Sequence, residues 1–277
     1  MGNPLIKMKL EMKKLTNHIL GYYGLEVHRK FQDHQKFDIR YSLSGALEQA
    51  KKIGFKPETV IDVGAAVGTH ALYEAFPNAK HLLIEPLEEF KPYLDKLAKQ
   101  LKNVEIIIAA AAGESGSTTI NVHPDLFGSS TYQECEDSNV NGFPRTIPCV
   151  VLDEVCKKNG LHGPYLIKLD VQGAESDVLT GASQILKETE CIILEVSLLG
   201  FFVTGPQFYD VIAFMKERGF VVYDILDYVY RPLDGAMSQV DLVFVKEQGR
   251  FRKHHFYATK EQREAQDEQF QKNLLKF

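Results

Sequence analysis

Two acids and two glycines at fixed spacing are the residues best placed to do chemistry. The segment Asp62-Val63-Gly64-Ala65-Ala66-Val67-Gly68-Thr69 puts an acid two positions before one glycine and a second glycine four positions later. Gly64 lets the backbone turn tightly and a ligand approach it closely. Gly68 lets a following helix start close to a sheet, and the free N–H groups of such a turn bind a carboxylate or phosphate. Glu85 and Pro86 follow at the end of the next apolar run. A carboxylate at that position accepts two hydrogen bonds from vicinal ribose hydroxyls. The combination calls for a nucleoside-containing cofactor, with Asp62, Gly64, Ala65, Gly68, Glu85 and Pro86 as its binding residues. A dinucleotide fingerprint requires G-x-G-x-x-G, whereas this loop reads G-x-x-x-G, and no P-loop pattern occurs. The D-x-G form suits S-adenosylmethionine, whose amino-acid end carries an ammonium group besides its carboxylate.

Two further acids, Asp170 and Glu195, close later apolar runs. Either could orient an acceptor hydroxyl or take its proton. The base stays open between Asp170, Glu195 and a loop residue. Two carboxylates at neighbouring strand ends could also hold Mg²⁺, but the expectation is no metal. His70 and His123 read as structural.

These groups need a frame that brings the ends of separate segments together. From about residue 43 the chain alternates between helical and apolar strand patterns. Leu43, Leu47, Ala50 and Ile53 mark a helix that Gly54 stops. Residues 59–63, 81–84, 104–108, 166–169 and 192–194 are short apolar runs that read as buried parallel strands. Helical patterns follow at 69–76, along Leu87 to Leu101, up to Leu179 and over 207–218. Residues 117–122 predict an extra strand, and 123–146 an irregular loop rich in Gly, Ser, Asn and Pro. Residues 220–226 and 240–245 flank a short turn, which suits an antiparallel hairpin. The expected fold class is α/β: a Rossmann-like, doubly wound, mostly parallel sheet with an antiparallel last strand. In such a sheet the ligand binds at the carboxyl ends of the strands.

The run Val60 to Thr69 resembles the first motif of class I S-adenosylmethionine-dependent methyltransferases. More narrowly, the chain resembles the FkbM-type methyltransferase family. That likeness rests on Ile167-Lys168-Leu169-Asp170-Val171-Gln172-Gly173-Ala174-Glu175 with Val178 to Ala182, on Ile193 to Val196, and on Gln239 to Val245. It covers about 43–246. Gln172 stands where the family more often has Glu, and Ala66 where Asn is often seen. The resemblance implies seven strands in the order 3-2-1-4-5-7-6. It also implies methyl transfer from S-adenosylmethionine to an oxygen, typically a hydroxyl on a sugar, polyketide or related small metabolite. By the same analogy Ala110 and Ala111 lie at the adenine, and Ser129 and Ser130 match a serine pair of the family. Three rival readings stand beside this one: a cofactor-binding partner protein without catalysis, an N-methyltransferase and an NAD-linked reductase.

Composition sets the outer bounds. The chain has 277 residues, 44% apolar and 25% charged, with a formal net charge of −5 and a pI near 6.0. This is ordinary globular composition. The acidic balance argues against nucleic acid as partner. The four cysteines form no C-x-x-C pair and no N-x-S/T sequon occurs, so a reducing, cytoplasmic setting is expected. No apolar run approaches the ~18 residues of a membrane span.

Residues 1–42 read as an N-terminal helical extension, with Leu5, Met8, Met12, Leu15 and Ile19 on one face. Residues 247–277 read as a basic linker, Arg250 to His255, and a polar helix opened by a Thr259–Gln262 capping box. The terminal helices are candidate contacts of a homodimer.

Overall fold

The computed structural model describes residues 40–136 and 139–274. The helical face from Leu5 to Ile19 lies outside the described residues. Chain order begins with α1 (Leu43–Lys52), β1 (Thr59–Val63), α2 (His70–Ala75), β2 (Lys80–Glu85), α3 (Lys91–Ala98) and β3 (Val104–Ile108). Next come β4 (Ala110–Ala111), β5 (Gly116–Val122), β6 (Phe143–Val150), α4 (Leu152–Lys158), β7 (Tyr165–Leu169) and α5 (Glu175–Thr180). The chain continues through β8 (Thr189–Ser197), α6 (Phe208–Glu217), β9 (Phe220–Tyr230), β10 (Met237–Lys246) and α7 (Lys260–Leu274).

Seven of these strands form one sheet in the order β3-β2-β1-β7-β8-β10-β9. Counted along the chain within that sheet, the order is 3-2-1-4-5-7-6, as the family resemblance implies. The pairs β1–β2, β1–β7, β2–β3 and β7–β8 are parallel, while β10 runs antiparallel to both β8 and β9. The strand order reverses direction between β1 and β7. Loops leaving the two strands diverge there and open a crevice at their carboxyl ends.

Side chains alternate across the sheet, so its central strands are buried on both faces. Ile61, Val63, Ile167, Leu169, Ile192 and Leu194 face one core, against Leu152, Val178, Val211 and Met215 of the helices on that side. Val60, Leu166 and Ile193 face the other, against Leu47, Leu72 and Leu94. β1 is buried at all five positions, which explains its unbroken apolar pattern around Asp62.

The span expected to be an irregular loop, 123–146, runs into β6. This strand pairs antiparallel with β5 over seven residues and parallel with β4 at Cys149 and Val150, making a second, three-stranded sheet. Pro144 and Pro148 interrupt the pattern and hide the strand. They are tolerated because β6 has a neighbour on its other side only at its last two residues. Ile147 and Cys149 alternate inward onto Leu87, Phe90 and Ile120.

The carboxyl-terminal stretch is fastened to the domain. The Phe251 ring lies 5.4 Å from Phe55 and 5.5 Å from Tyr223, and Arg250 donates to the Gly54 carbonyl. Thr259 and Gln262 exchange the two hydrogen bonds of the expected capping box, at 2.8 and 3.3 Å, before α7. No described helix is long and apolar enough to cross a membrane.

Candidate active site

The β1–α2 loop is built to a tight geometry. Gly64 and Ala65 donate to the Ile84 carbonyl at 2.9 and 3.2 Å, and Gly68 donates to Ala65 at 2.6 Å. Gly64 has φ +73°, and a Cβ there would fall 1.8 Å from the Asp170 carbonyl oxygen. Both the backbone angle and the space require glycine. Ala66 also sits in the left-handed region, at φ +45°, a conformation that Asn adopts more readily than Ala.

Asp62 turns inward. Its carboxylate accepts from the Thr69 N–H at 3.2 Å, the Thr69 hydroxyl at 3.1 Å and the Tyr73 hydroxyl. Burial, then the neighbouring Asp62 charge, pushes the Tyr73 hydroxyl far above the ordinary phenol range. Asp62 braces the loop from within the fold.

Glu85 is 3% exposed. One carboxylate oxygen accepts from the Leu87 N–H at 2.9 Å and the other from the Ala66 N–H at 2.8 Å. Each oxygen keeps a lone pair. Burial pushes this carboxyl up to about 7, against the pull of those two N–H donors.

A cavity of about 270 Å³ opens at the strand ends and joins these parts. Of the residues expected in the site, Gly64, Glu85, Pro86, Ala110, Ala111, Asp170 and Glu195 line it. Asp62, Ala65, Gly68 and Ser130 do not. Gly68, at φ +97°, packs against Leu97 and Tyr73. Ser130 is buried, donating to the Gln172 carbonyl at 2.6 Å and accepting from the Tyr132 N–H at 2.9 Å.

Ser129, of the serine pair singled out in the sequence, also lines the cavity, together with residues that sequence reasoning missed: Leu87, Phe90, Ile120, Leu126, Phe127, Thr131 and Gln172. Phe127 is 59% exposed and its ring lies 5.1 Å from that of Phe90. An isolated Leu-Phe pair in a Gly- and Ser-rich stretch was the available signal. His123 lies outside the cavity and pairs with Asp125 at 2.6 Å.

The far end of the cavity is polar. Asp170 takes the Lys168 ammonium at 2.9 Å on one oxygen and the Gln172 amide at 3.0 Å on the other. Glu195 accepts from Gln172 at 2.9 Å and from Gln239 at 3.1 Å. Burial works against the Lys168 charge, but the carboxylates of Asp170, Asp62 and Asp241 outweigh it and hold the ammonium above the ordinary lysine range. Burial, then Asp170 and Asp241, pushes the Glu195 carboxyl up to about 8. Glu175, fully buried under Val171 and Gly173, whose N–H groups it accepts, is pushed up to about 7 by desolvation. Among the described residues no cluster of His, Cys, Asp or Glu has the arrangement of a metal site.

This geometry is a slot with a buried acid and an apolar wall at one end and a pair of carboxylates at the other. Residues 62–222 match the methyltransferase FkbM domain. The chain belongs to the FkbM methyltransferase family. The matched domain is a methyltransferase domain, and S-adenosylmethionine is the cofactor expected from the sequence. The residues present fit that group: a glycine cradle with no room for a Cβ, a buried carboxylate with free lone pairs, and an apolar slot beside it.

Among curated proteins, the chain is 29% identical over 160 residues to the 2-O-methyltransferase NoeI of Sinorhizobium fredii. That match takes in 51% of this chain and 65% of the relative, so the chain spans just under two thirds of the relative's length. Among solved structures, a 1,6-didemethyltoxoflavin-N1-methyltransferase of Burkholderia thailandensis has a TM-score of 0.42 at 12% identity, covering 73% of this chain and 76% of that one. The magnesium protoporphyrin IX methyltransferase of Synechocystis PCC 6803 has a TM-score of 0.40 at 12% identity, covering 74% and 76%. Both are distant likenesses.

Proposed function

We propose that this enzyme methylates a hydroxyl oxygen of a sugar, polyketide or related small metabolite. The observation that carries the reading is the single cavity that joins Glu85 at one end to Asp170 and Glu195 at the other. Glu85 would hold the ribose hydroxyls of the cofactor. The Gly64 turn would take its amino-acid end, and Ala110, Ala111, Leu126 and Phe127 would cover the adenine. Bound there, S-adenosylmethionine supplies an activated, electrophilic methyl group.

The chain's own task is then to bring an acceptor oxygen into line and to take its proton. Orientation of this kind supplies several kcal/mol of the barrier. Asp170 is the proposed base: it lines the cavity, and its carboxylate is held between Lys168 and Gln172. Glu195, alongside, would accept or donate a hydrogen bond to the same acceptor. The apolar wall and the acids at both ends favour a neutral polyhydroxy acceptor over an anionic one. The curated relative's name, a 2-O-methyltransferase, agrees with oxygen as the target.

Incubation with methyl-labelled S-adenosylmethionine and host extract, followed by identification of the labelled product, tests the reading. A methyl ether is the expected product. Label found on nitrogen would replace the reading with N-methylation. Firm binding of S-adenosylhomocysteine with no transfer to any acceptor would reduce the protein to a cofactor-binding module.

A further inference from the structure

One side chain joins the two carboxylates at the acceptor end. The Gln172 carboxamide has two N–H bonds. One points to Asp170 Oδ1 at 3.0 Å on the β7 side and the other to Glu195 Oε2 at 2.9 Å on β8. Both donors are therefore spent inside the protein. The backbone of the same residue is held too. Gln172 sits at φ +52°, and its carbonyl accepts from the Ser130 hydroxyl at 2.6 Å. Its side chain and its main chain thus tie the carboxylate pair to the segment that covers the cavity.

The acids need such a bridge. Glu195 is faced by Asp170 and by Lys168 from β7, by Glu175 from α5 and by Asp241 from β10. Lys168 is the one cation among these, and it is bound to the far oxygen of Asp170. Once Glu195 loses its proton, the two cavity-facing carboxylates repel each other unless a donor stands between them. A glutamate at 172 would add another acid to the same cluster.

We propose that Gln172 is a positioning residue for methyl transfer, a neutral clamp that holds Asp170 and Glu195 side by side and leaves Asp170 free to receive the acceptor's proton. This rests on the reading of Asp170 as base given above. In the step, the acceptor oxygen bonds to the methyl carbon as the sulfur–methyl bond breaks. The hydroxyl proton passes to the Asp170 carboxylate and later to solvent, and S-adenosylhomocysteine leaves neutral at sulfur.

Two variants separate clamp from filler. Gln172→Met keeps the volume and removes both donors. Gln172→Glu keeps the length and can donate only while protonated. Both should bind S-adenosylhomocysteine within about twofold of the parent, while kcat of Gln172→Met falls about tenfold or more, the size expected for a lost hydrogen bond to a charged group. From pH 6.5 to 8.5 the parent should hold or gain activity. Gln172→Glu should lose it over the same range, and Gln172→Met should be low throughout. Turnover of Gln172→Met within about twofold of the parent, or a Gln172→Glu profile that overlays the parent's, would overturn the proposal.

A second measurement needs no turnover. Carbon NMR of the side-chain carboxyls, without ligand, should show the Glu195 midpoint rising by about half a unit or more in Gln172→Met, because donors to a carboxylate favour its charged form. An unchanged midpoint would equally overturn the clamp. A parent enzyme that methylates no acceptor would instead refute the proposed function, and the NMR result would still decide the clamp.

Discussion

At the scale of single residues, environment sorts the carboxylates by task. Asp62 is buried away from the cavity and accepts three hydrogen bonds from Thr69 and Tyr73, so it serves the loop. Glu85 has lone pairs to spare and lines the cavity, so it can serve a ligand. Glu85→Gln should weaken S-adenosylhomocysteine binding by about 1–3 kcal/mol, the cost of a lost hydrogen bond to a charged group, as titration calorimetry would show. The sign of its pH dependence follows from its environment. The carboxyl is pushed up to about 7, so its proton leaves as pH rises through that value and it becomes the stronger acceptor. Affinity should therefore climb between pH 6 and 8 in the parent and stay flat in Glu85→Gln. Asp170→Asn should leave cofactor binding in place and slow transfer by roughly 10²–10⁴-fold, the usual range for loss of a general base; ordinary single-turnover rates in that variant would remove Asp170 from the chemistry. Glu85 and Asp170 were both legible from sequence because each ends an apolar run. The inward turn of Asp62 was not. Nothing in D-x-G spacing reports that Tyr73, eleven residues on, will occupy the carboxylate.

At the scale of elements, the sheet was legible and its addition was not. Five short apolar runs, four of them closed by Gly or an acidic residue, predicted the five parallel strands, since a strand buried on both faces has little choice of residue. β6 escaped because Pro144 and Pro148 broke its alternation. Because β4 pairs with it only at Cys149 and Val150, those prolines are harmless in the fold and misleading in the sequence. The apolar wall of the cavity was missed for another reason: Ile120 sits in the expected extra strand and Leu126 and Phe127 in the segment after it, and nothing in their spacing reports that they turn toward the strand ends. The β1–α2 loop carries the sharpest prediction at this scale. Gly64→Ala should destabilise the protein by about 2 kcal/mol or more, because the position combines φ +73° with a backbone carbonyl where the methyl would go. It should also abolish cofactor binding in whatever fraction remains folded. Thermal denaturation and calorimetry on the same sample would check both. A variant with parental melting temperature and affinity would mean that the loop is not held against β7 in solution.

At the scale of the whole molecule, three glutamates share one buried district and set its response to pH. Glu85 and Glu175 are pushed up to about 7 and Glu195 to about 8, against about 4.3 for a free glutamate. A group whose carboxyl is raised by folding contributes stability that is complete below its unfolded value and is lost as pH rises through its folded value. These three should therefore favour the native state near pH 4.5 and weaken it progressively up to about pH 8. Denaturant midpoints at pH 6 and pH 9 should differ more in the parent than in Glu195→Gln, and equal differences would show that Glu195 does not hold its proton on folding. The formal charge of −5 hides this, because composition counts every acid as ionised wherever it sits. One last feature spans the molecule's two tasks. A Cβ on Gly64 would meet the Asp170 carbonyl oxygen at 1.8 Å, so the turn proposed to hold the methyl donor and the residue proposed to receive the acceptor's proton touch through their main chains. That contact gives a ligand on one side a route to the other, and any such coupling is reciprocal by thermodynamic necessity. Saturating the enzyme with S-adenosylhomocysteine should change the dissociation constant of an acceptor analogue, and that analogue should change the affinity for S-adenosylhomocysteine by the same factor. A bisubstrate inhibitor would meet one continuous trough.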